Sequence, residues 1–82
     1  MSETLQRKEV VGVKIIAKPL LTEARIRANL TIHELASKAN VPVGTLSRAE
    51  NGHSISMRSA HKLCNFYKQQ FESLFEITGR EN

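Results

Sequence analysis

The side chains in this chain best suited to chemistry are hydrogen-bond donors clustered in one short segment near its middle. Arg48 carries a planar guanidinium that can bond to a guanine edge or to a phosphate. Thr45 and Ser47 carry hydroxyls of the kind that hold phosphates and fix the position of a protein on a duplex. Val43 can contact a thymine methyl group, and Gly44 lets the backbone approach a partner closely. Together these residues predict a surface that contacts double-stranded DNA.

Two short helices joined by a tight turn must position these side chains. Thr31 and Glu34 predict a capping box at the start of the first helix, because each side chain can accept a bond from a free backbone amide of the other residue. Leu35 and Ala39 then share one apolar stripe. Asn40 tolerates the left-handed conformation, so it can end the helix and turn the chain.

The second helix is predicted from about Pro42 to Glu50. Proline suits a helix start, where its missing N–H costs no hydrogen bond, and Asn51-Gly52 is a stop and turn signal. Its apolar residues would face inward, which leaves the polar side chains named above facing outward. Two helices of this kind, with a basic polar face on the second, are the layout of a helix-turn-helix DNA reader.

With these residues identified, the chain resembles the Cro/C1 repressor type of helix-turn-helix domain, also called the Xre type. The resemblance covers roughly residues 20–75. It implies an all-α fold, a compact five-helix bundle of the lambda-repressor-like type whose third helix enters the major groove. It places helix one at about 19–28, helix four at about 57–67 behind a Ser56 cap, and helix five at about 71–78. Its strongest pieces are Leu30-Thr31, Glu34-Leu35-Ala36, Thr45-Leu46-Ser47-Arg48 and Glu50-Asn51-Gly52.

Several positions outside residues 43–48 also suit phosphate contact. Asn51 suits a phosphate, although turn chemistry explains it equally well, and His53 suits either a phosphate or solvent. Thr31 is a cap first, but the helix end that it caps attracts anions. Arg48 is interpreted as a DNA contact in preference to a surface arginine or an ion pair with Glu50 or Glu34. The predicted DNA-binding residues are therefore Thr31, Val43, Gly44, Thr45, Ser47, Arg48, Asn51 and His53.

The chain also departs from the family at the reader. The family commonly has a glutamine that holds a phosphate at the position of Ile32, and long polar residues at Val43 and Gly44. Direct readout would then fall mainly on Arg48, Thr45 and Ser47. By the same resemblance, Arg25 should form a structural ion pair with Glu34 or Glu50.

Catalytic and metal-binding interpretations find little support in the residue types. His61 and Cys64 are spaced i, i+3 on one predicted helix, but a closed zinc site needs about four ligands. His33 and His53 have no spacing that completes one. By resemblance His61 is a partly buried core residue, and Cys64 is a small core residue. We expect no catalytic residue, no metal site and no cofactor.

Composition fits a single small domain that binds an anionic partner. The 82 residues carry a formal net charge of +4 and one cysteine, which fits a reducing cytoplasm. No apolar run approaches the roughly 20 residues of a membrane span, and no secretory signal is evident. The chain divides into an N-terminal extension (1–18), the helical domain (19–78) and a tail (79–82).

The extension is rich in β-branched residues, with Val11, Val13 and Ile15 in alternation, and this favours a strand. A lone strand beside a helical bundle has no sheet to join, so three interpretations stay open. The strand could pair with its counterpart in a second subunit, or it could lie along the bundle and bury its Val and Ile side chains. Alternatively, a basic arm on the DNA backbone could be formed by Arg7, Lys8, Lys14 and Lys18.

The last predicted helix has more apolar surface than one short helix usually buries, and the excess suggests a dimer contact. A symmetric homodimer is expected, since two-fold readers bind successive major grooves. The function predicted first is a sequence-specific transcriptional regulator, a repressor that binds an operator. One alternative is the antitoxin of a toxin–antitoxin pair, which represses its own operon and also binds the toxin. The other is a protein-interaction module that has lost base readout.

Overall fold

The structure is a computed structural model that describes residues 13–79. In this part of the chain, five helices and two short strands form a bundle with a two-stranded sheet, which confirms the predicted fold. None of the described helices is both long enough and apolar enough to cross a membrane. The elements are β1 (Lys14–Ala17), α1 (Pro19–Arg27), α2 (Ile32–Ala39), α3 (Val43–Glu50), α4 (Met57–Tyr67), α5 (Phe71–Leu74) and β2 (Phe75–Thr78).

The core is built from large side chains that almost every element contributes. One fully buried large apolar residue comes from each of the five helices and from β2. Because these side chains are fully buried, truncating any of them to alanine would cost about 2–5 kcal/mol. They are Leu21, Leu35, Leu46, Leu63, Leu74 and Phe75.

The predicted start and end of α2 are confirmed. Thr31 Oγ1 accepts from the Glu34 amide at 3.0 Å, and Glu34 Oε1 accepts from the Thr31 amide at 2.9 Å, so the capping box is complete. Asn40 ends the helix at a φ of 62°, in the left-handed region. Helix α4 begins behind Ser56 as predicted, with the Ser56 hydroxyl accepting from the Ser59 amide.

The prediction for residues 71–78 is wrong in its second half. The helix ends at Leu74, and Phe75–Thr78 is a strand that pairs antiparallel with β1. The register places Ile15 opposite Ile77 and Ala17 opposite Phe75. Phe, Ile and Thr are good strand residues, and β1 supplies the partner that makes the extended form favourable. The expectation that the first strand has no sheet to join is therefore also wrong.

Strand β1 is held inside this chain along both of its edges. One edge pairs with β2, and on the other the Ile55 amide donates to the Ile15 carbonyl at 3.1 Å. Ile15 is buried, as expected for a segment laid against the bundle. On the edge away from β2, Ile55 therefore takes the position at Ile15 that a strand of a second subunit would need. Arg7, Lys8 and the rest of residues 1–12 lie outside the described residues.

His61 does not lie on the inward face of α4, where it was predicted. His61 is exposed and makes an edge-to-face contact with Phe71, at 6.1 Å between ring centroids, so its assignment to the core is wrong. The position faces solvent because Ala60, Leu63 and Cys64 already form the inward stripe of α4. Cys64 is buried, as predicted, and burial raises the pKa of its thiol.

Candidate nucleic-acid interface

Helix α3 lies with one face in the core and the other in solvent. Leu46 and Ala49 are fully buried, as predicted. At about 100° per residue, Gly44 lies almost diametrically opposite the midpoint of these two residues. Gly44 and Arg48 are accordingly exposed. The outward face of α3 is thus centred on Gly44.

The other predicted contacts on α3 flank this centre. Val43 is 39% exposed at the first turn. Thr45 and Ser47 are half-buried on the two sides of the helix, so their hydroxyls lie at the rim of the outward face. A β-carbon built on Gly44 meets no atom within 4 Å, so this stretch of backbone is open to an approaching partner. The structure therefore brings the five predicted α3 residues onto one continuous surface.

The guanidinium of Arg48 makes no hydrogen bond and no ion pair with any residue in the range 13–79. The two acids weighed as its partners are engaged elsewhere. Glu50 pairs with Arg25, and Glu34 completes the α2 capping box. Arg48 is therefore free to bind an acceptor outside this folded region, as a guanine edge or a phosphate would be.

Arg25 holds the C-terminal end of α3 against α1. Its guanidinium donates to Glu50 through Nε at 2.7 Å and through a terminal nitrogen at 3.0 Å. A third bond runs to the Leu30 carbonyl at 2.9 Å. The Arg25 and Glu50 side chains are only 16% and 8% exposed, and the hydrogen bond to Glu50 raises the pKa of Arg25. Of the two predicted partners, Glu50 is confirmed, and this bidentate pair fixes the orientation of α3.

The residues around α3 divide between turn chemistry and solvent exposure. The side-chain amide of Asn51 donates to the Ser47 carbonyl at 2.8 Å. Asn51 therefore has the turn role, which was one of the two roles that the sequence left open. His53 is exposed, and its backbone amide donates to the Arg48 carbonyl. Gly52, with a φ of +90°, makes this turn possible. Thr31 lies at the exposed N-terminus of α2, its hydroxyl oxygen accepting the cap bond.

Two supporting contacts were not foreseen from the sequence. Lys62 of α4 donates to the Asn40 carbonyl at 3.1 Å and so stabilises the C-terminal end of α2. The Tyr67 hydroxyl is buried near the Arg25–Glu50 pair and finds no hydrogen-bond partner among the described residues. Lys62 is far from Asn40 in the sequence, as Tyr67 is from Arg25, so no local pattern indicates either feature. Ile32 packs half-buried against the core, which leaves no polar group at that position to hold a phosphate.

The fold, with the exposed outward face of α3, defines a helix-turn-helix protein of the DNA-binding class. The family model described as helix-turn-helix, HTH_3, matches residues 21–74. The chain belongs to this Cro/C1-type, or Xre, family, a DNA-binding family rather than an enzyme family.

The chain is similar to a solved structure, the crystal structure of the transcriptional regulator VanUg, form II. The identity is 16%, the TM-score is 0.62, and the match covers 84% of this chain and 91% of that chain. At this identity the likeness shows the fold alone. No curated protein matches the chain.

Proposed function

We propose that this protein is a sequence-specific DNA-binding transcriptional regulator, a repressor that inserts α3 into the major groove of an operator. The observation that carries the proposal is the free guanidinium of Arg48, exposed beside the open backbone of Gly44 on the outward face of α3. Because Arg48 has no partner within residues 13–79, it has no bond in that part of the chain to break before it binds a base edge, whereas a paired guanidinium would first have to break its bond.

The contacts on α3 divide by chemistry. Arg48 supplies bidentate readout of a guanine, and Val43 contacts a thymine methyl. Thr45 and Ser47, at the rim, position the helix through phosphates. The Thr31 hydroxyl and the exposed N-terminus of α2 hold a further phosphate, because free amides there favour an anion. The net charge of +4 supports an anionic partner.

The regulator acts as a homodimer on an inverted repeat. In two-fold readers, the two recognition helices enter successive major grooves about 34 Å apart. The Arg25–Glu50 pair supports this role, since a recognition helix must keep one orientation in its subunit if two half-sites are to be read together.

The experiment is selection of bound duplexes from a random library at near-physiological salt. We expect an enriched inverted repeat, with half-sites one helical turn apart. Arg48→Ala should abolish the enrichment. Its matched control is Arg27→Ala, which removes an arginine that is also exposed but lies on α1. Recovery of unenriched DNA by the unmodified protein would refute sequence-specific regulation.

A protein-interaction module that has lost base readout is the second candidate, because Ile32 is packed on the core and Val43 and Gly44 have no polar side-chain atoms. The same selection separates the two. A module would recover no enriched sequence, and Arg48→Ala would leave its affinity for DNA unchanged.

A further inference from the structure

Among the described residues, the outer edge of β2 is unpaired. Two contacts show which residues of the sheet are in hydrogen-bonded positions. The Ile15 carbonyl accepts from Ile55, on the side away from β2. The Lys18 amide donates to the Leu74 carbonyl at 2.8 Å, which continues the pairing of the two strands. In an antiparallel pair, hydrogen-bonded positions alternate with non-bonded ones. Ile15 opposite Ile77 is therefore a non-bonded pair.

It follows that the backbone N–H and C=O of Ile77 point away from β1, toward the outer edge of β2. Within residues 13–79 no strand pairs with that edge. Ile77 is also 53% exposed, although it lies on the same face of the sheet as the buried Ile15. An unpaired edge bearing an exposed isoleucine is a template for another strand.

We propose that a second copy of this chain pairs with the outer edge of β2, antiparallel and centred on Ile77. The sheet then becomes four-stranded across the two-fold axis. This inference rests on the proposed function and adds to it the contact that joins the two DNA-binding subunits. Within residues 13–79 Ile55 already bonds to the far edge of β1 at Ile15, so pairing uses the outer edge of β2 in both copies, and such an isologous contact closes as a dimer instead of growing into a filament.

Charge and hydrogen bonding select the register. With Ile77 opposite its counterpart, the two residues exchange both backbone bonds, and each Glu76 lies opposite a Thr78. A register centred on Glu76 would place two carboxylates opposite each other, which is destabilising. A register centred on Phe75 would compete for the Phe75 amide, which already donates to the Phe71 carbonyl. Of these three registers, the one centred on Ile77 keeps its backbone bonds and avoids like charges.

Cysteine cross-linking of the full chain tests the register, with Cys64→Ala removing the native thiol. In a hydrogen-bonded pair the Cα atoms are about 5.5 Å apart, within the range that a disulfide spans. Ile77→Cys should form a covalent dimer under mild oxidation. The control is Ile26→Cys, because Ile26 is comparably exposed at 62% but lies on α1. Equal cross-linking at the two positions would overturn the proposal.

Sedimentation equilibrium gives an independent readout. Ile77→Lys should weaken self-association by about 100-fold, because two like charges would meet at the axis, while Ile26→Lys should leave it unchanged. Self-association of Ile77→Lys at the unmodified strength would overturn the proposal. Ile77→Lys should still bind a single half-site from the library selection as well as the unmodified protein does. If the unmodified protein binds no DNA but Ile77→Cys still cross-links selectively, the proposed function fails and the dimer edge stands.

Discussion

Gly44→Ala should change stability and DNA affinity in opposite directions. In the folded protein the added methyl group meets no atom within 4 Å, so it causes no clash. Replacing a helical glycine by alanine lowers the entropy of the unfolded chain, and the gain should be about 0.5–1 kcal/mol. For a domain of this size that corresponds to a rise in Tm of about 2–8 °C.

The same methyl group stands at the centre of the outward face of α3. If the backbone there lies close to the base edges, the methyl holds the helix away from the groove. Forcing an extra carbon into a close-packed contact costs about 1–3 kcal/mol. Affinity for the selected operator should therefore fall by about 5- to 150-fold, by fluorescence anisotropy at fixed salt, while circular dichroism shows the higher Tm.

Lys68→Gly is the control for this experiment, because it should stabilise the fold without touching the outward face of α3. Unchanged operator affinity for Gly44→Ala would refute close approach of the backbone at this position. A lower Tm would refute the inference that the position is open in the folded protein.

Four further predictions follow from the described contacts. Arg48→Ala should weaken operator binding by about 1–3 kcal/mol in a titration and should leave Tm nearly unchanged; equal loss on all sequences would contradict guanine readout. Glu50→Ala should lower the free energy of unfolding in urea by about 2–4 kcal/mol, because Arg25 stays buried without its partner; an unchanged value would show that the pair is dispensable. Lys68 has a φ of 55°, so Lys68→Gly should raise that free energy by about 1 kcal/mol; a loss would show that the backbone is unstrained. Burial raises the pKa of Tyr67 above its usual 10.0, so stability should fall as pH rises past 10, and Tyr67→Phe should reduce that fall in urea titrations at pH 8 and pH 10.5; equal slopes would contradict it.

The helix-turn-helix formed by α2 and α3 could be predicted from the sequence because its determinants are local. The Thr31–Glu34 capping box and the αL turn at Asn40 each depend on residues within a few positions of one another. The inward stripe of α3 likewise follows from helical periodicity. Asn51 was different, since its residue type suits both a turn and a phosphate. Only the bond to the Ser47 carbonyl separates the two.

The two arginines near α3 show that residue type alone does not determine the role of a side chain. Arg25 and Arg48 carry the same guanidinium, and the sequence offers Glu34 or Glu50 as an ion-pair partner for either one. In the fold, Glu50 points to α1 and binds Arg25 in two places. Because Arg25 binds the acid nearest to Arg48 along the chain, Glu50 does not pair with Arg48, which has no ion-pair partner within residues 13–79.

Residues 71–78 show why a local pattern can predict the wrong element. Phe71, Leu74, Phe75 and Thr78 fit one face of a helix, while Phe75 and Ile77 also fit the alternation of a strand. For a segment this short, propensity decides little, and the available partner decides the outcome. Here the partner is β1, about 60 residues earlier in the chain. The change from helix to strand has a consequence for assembly. In a helix over residues 71–78 the Ile77 N–H would bond to the carbonyl of Ser73, whereas in β2 both its N–H and its C=O point away from β1. The dimer contact expected from excess apolar surface is accordingly proposed as a strand-pairing contact, with a register that cross-linking can test.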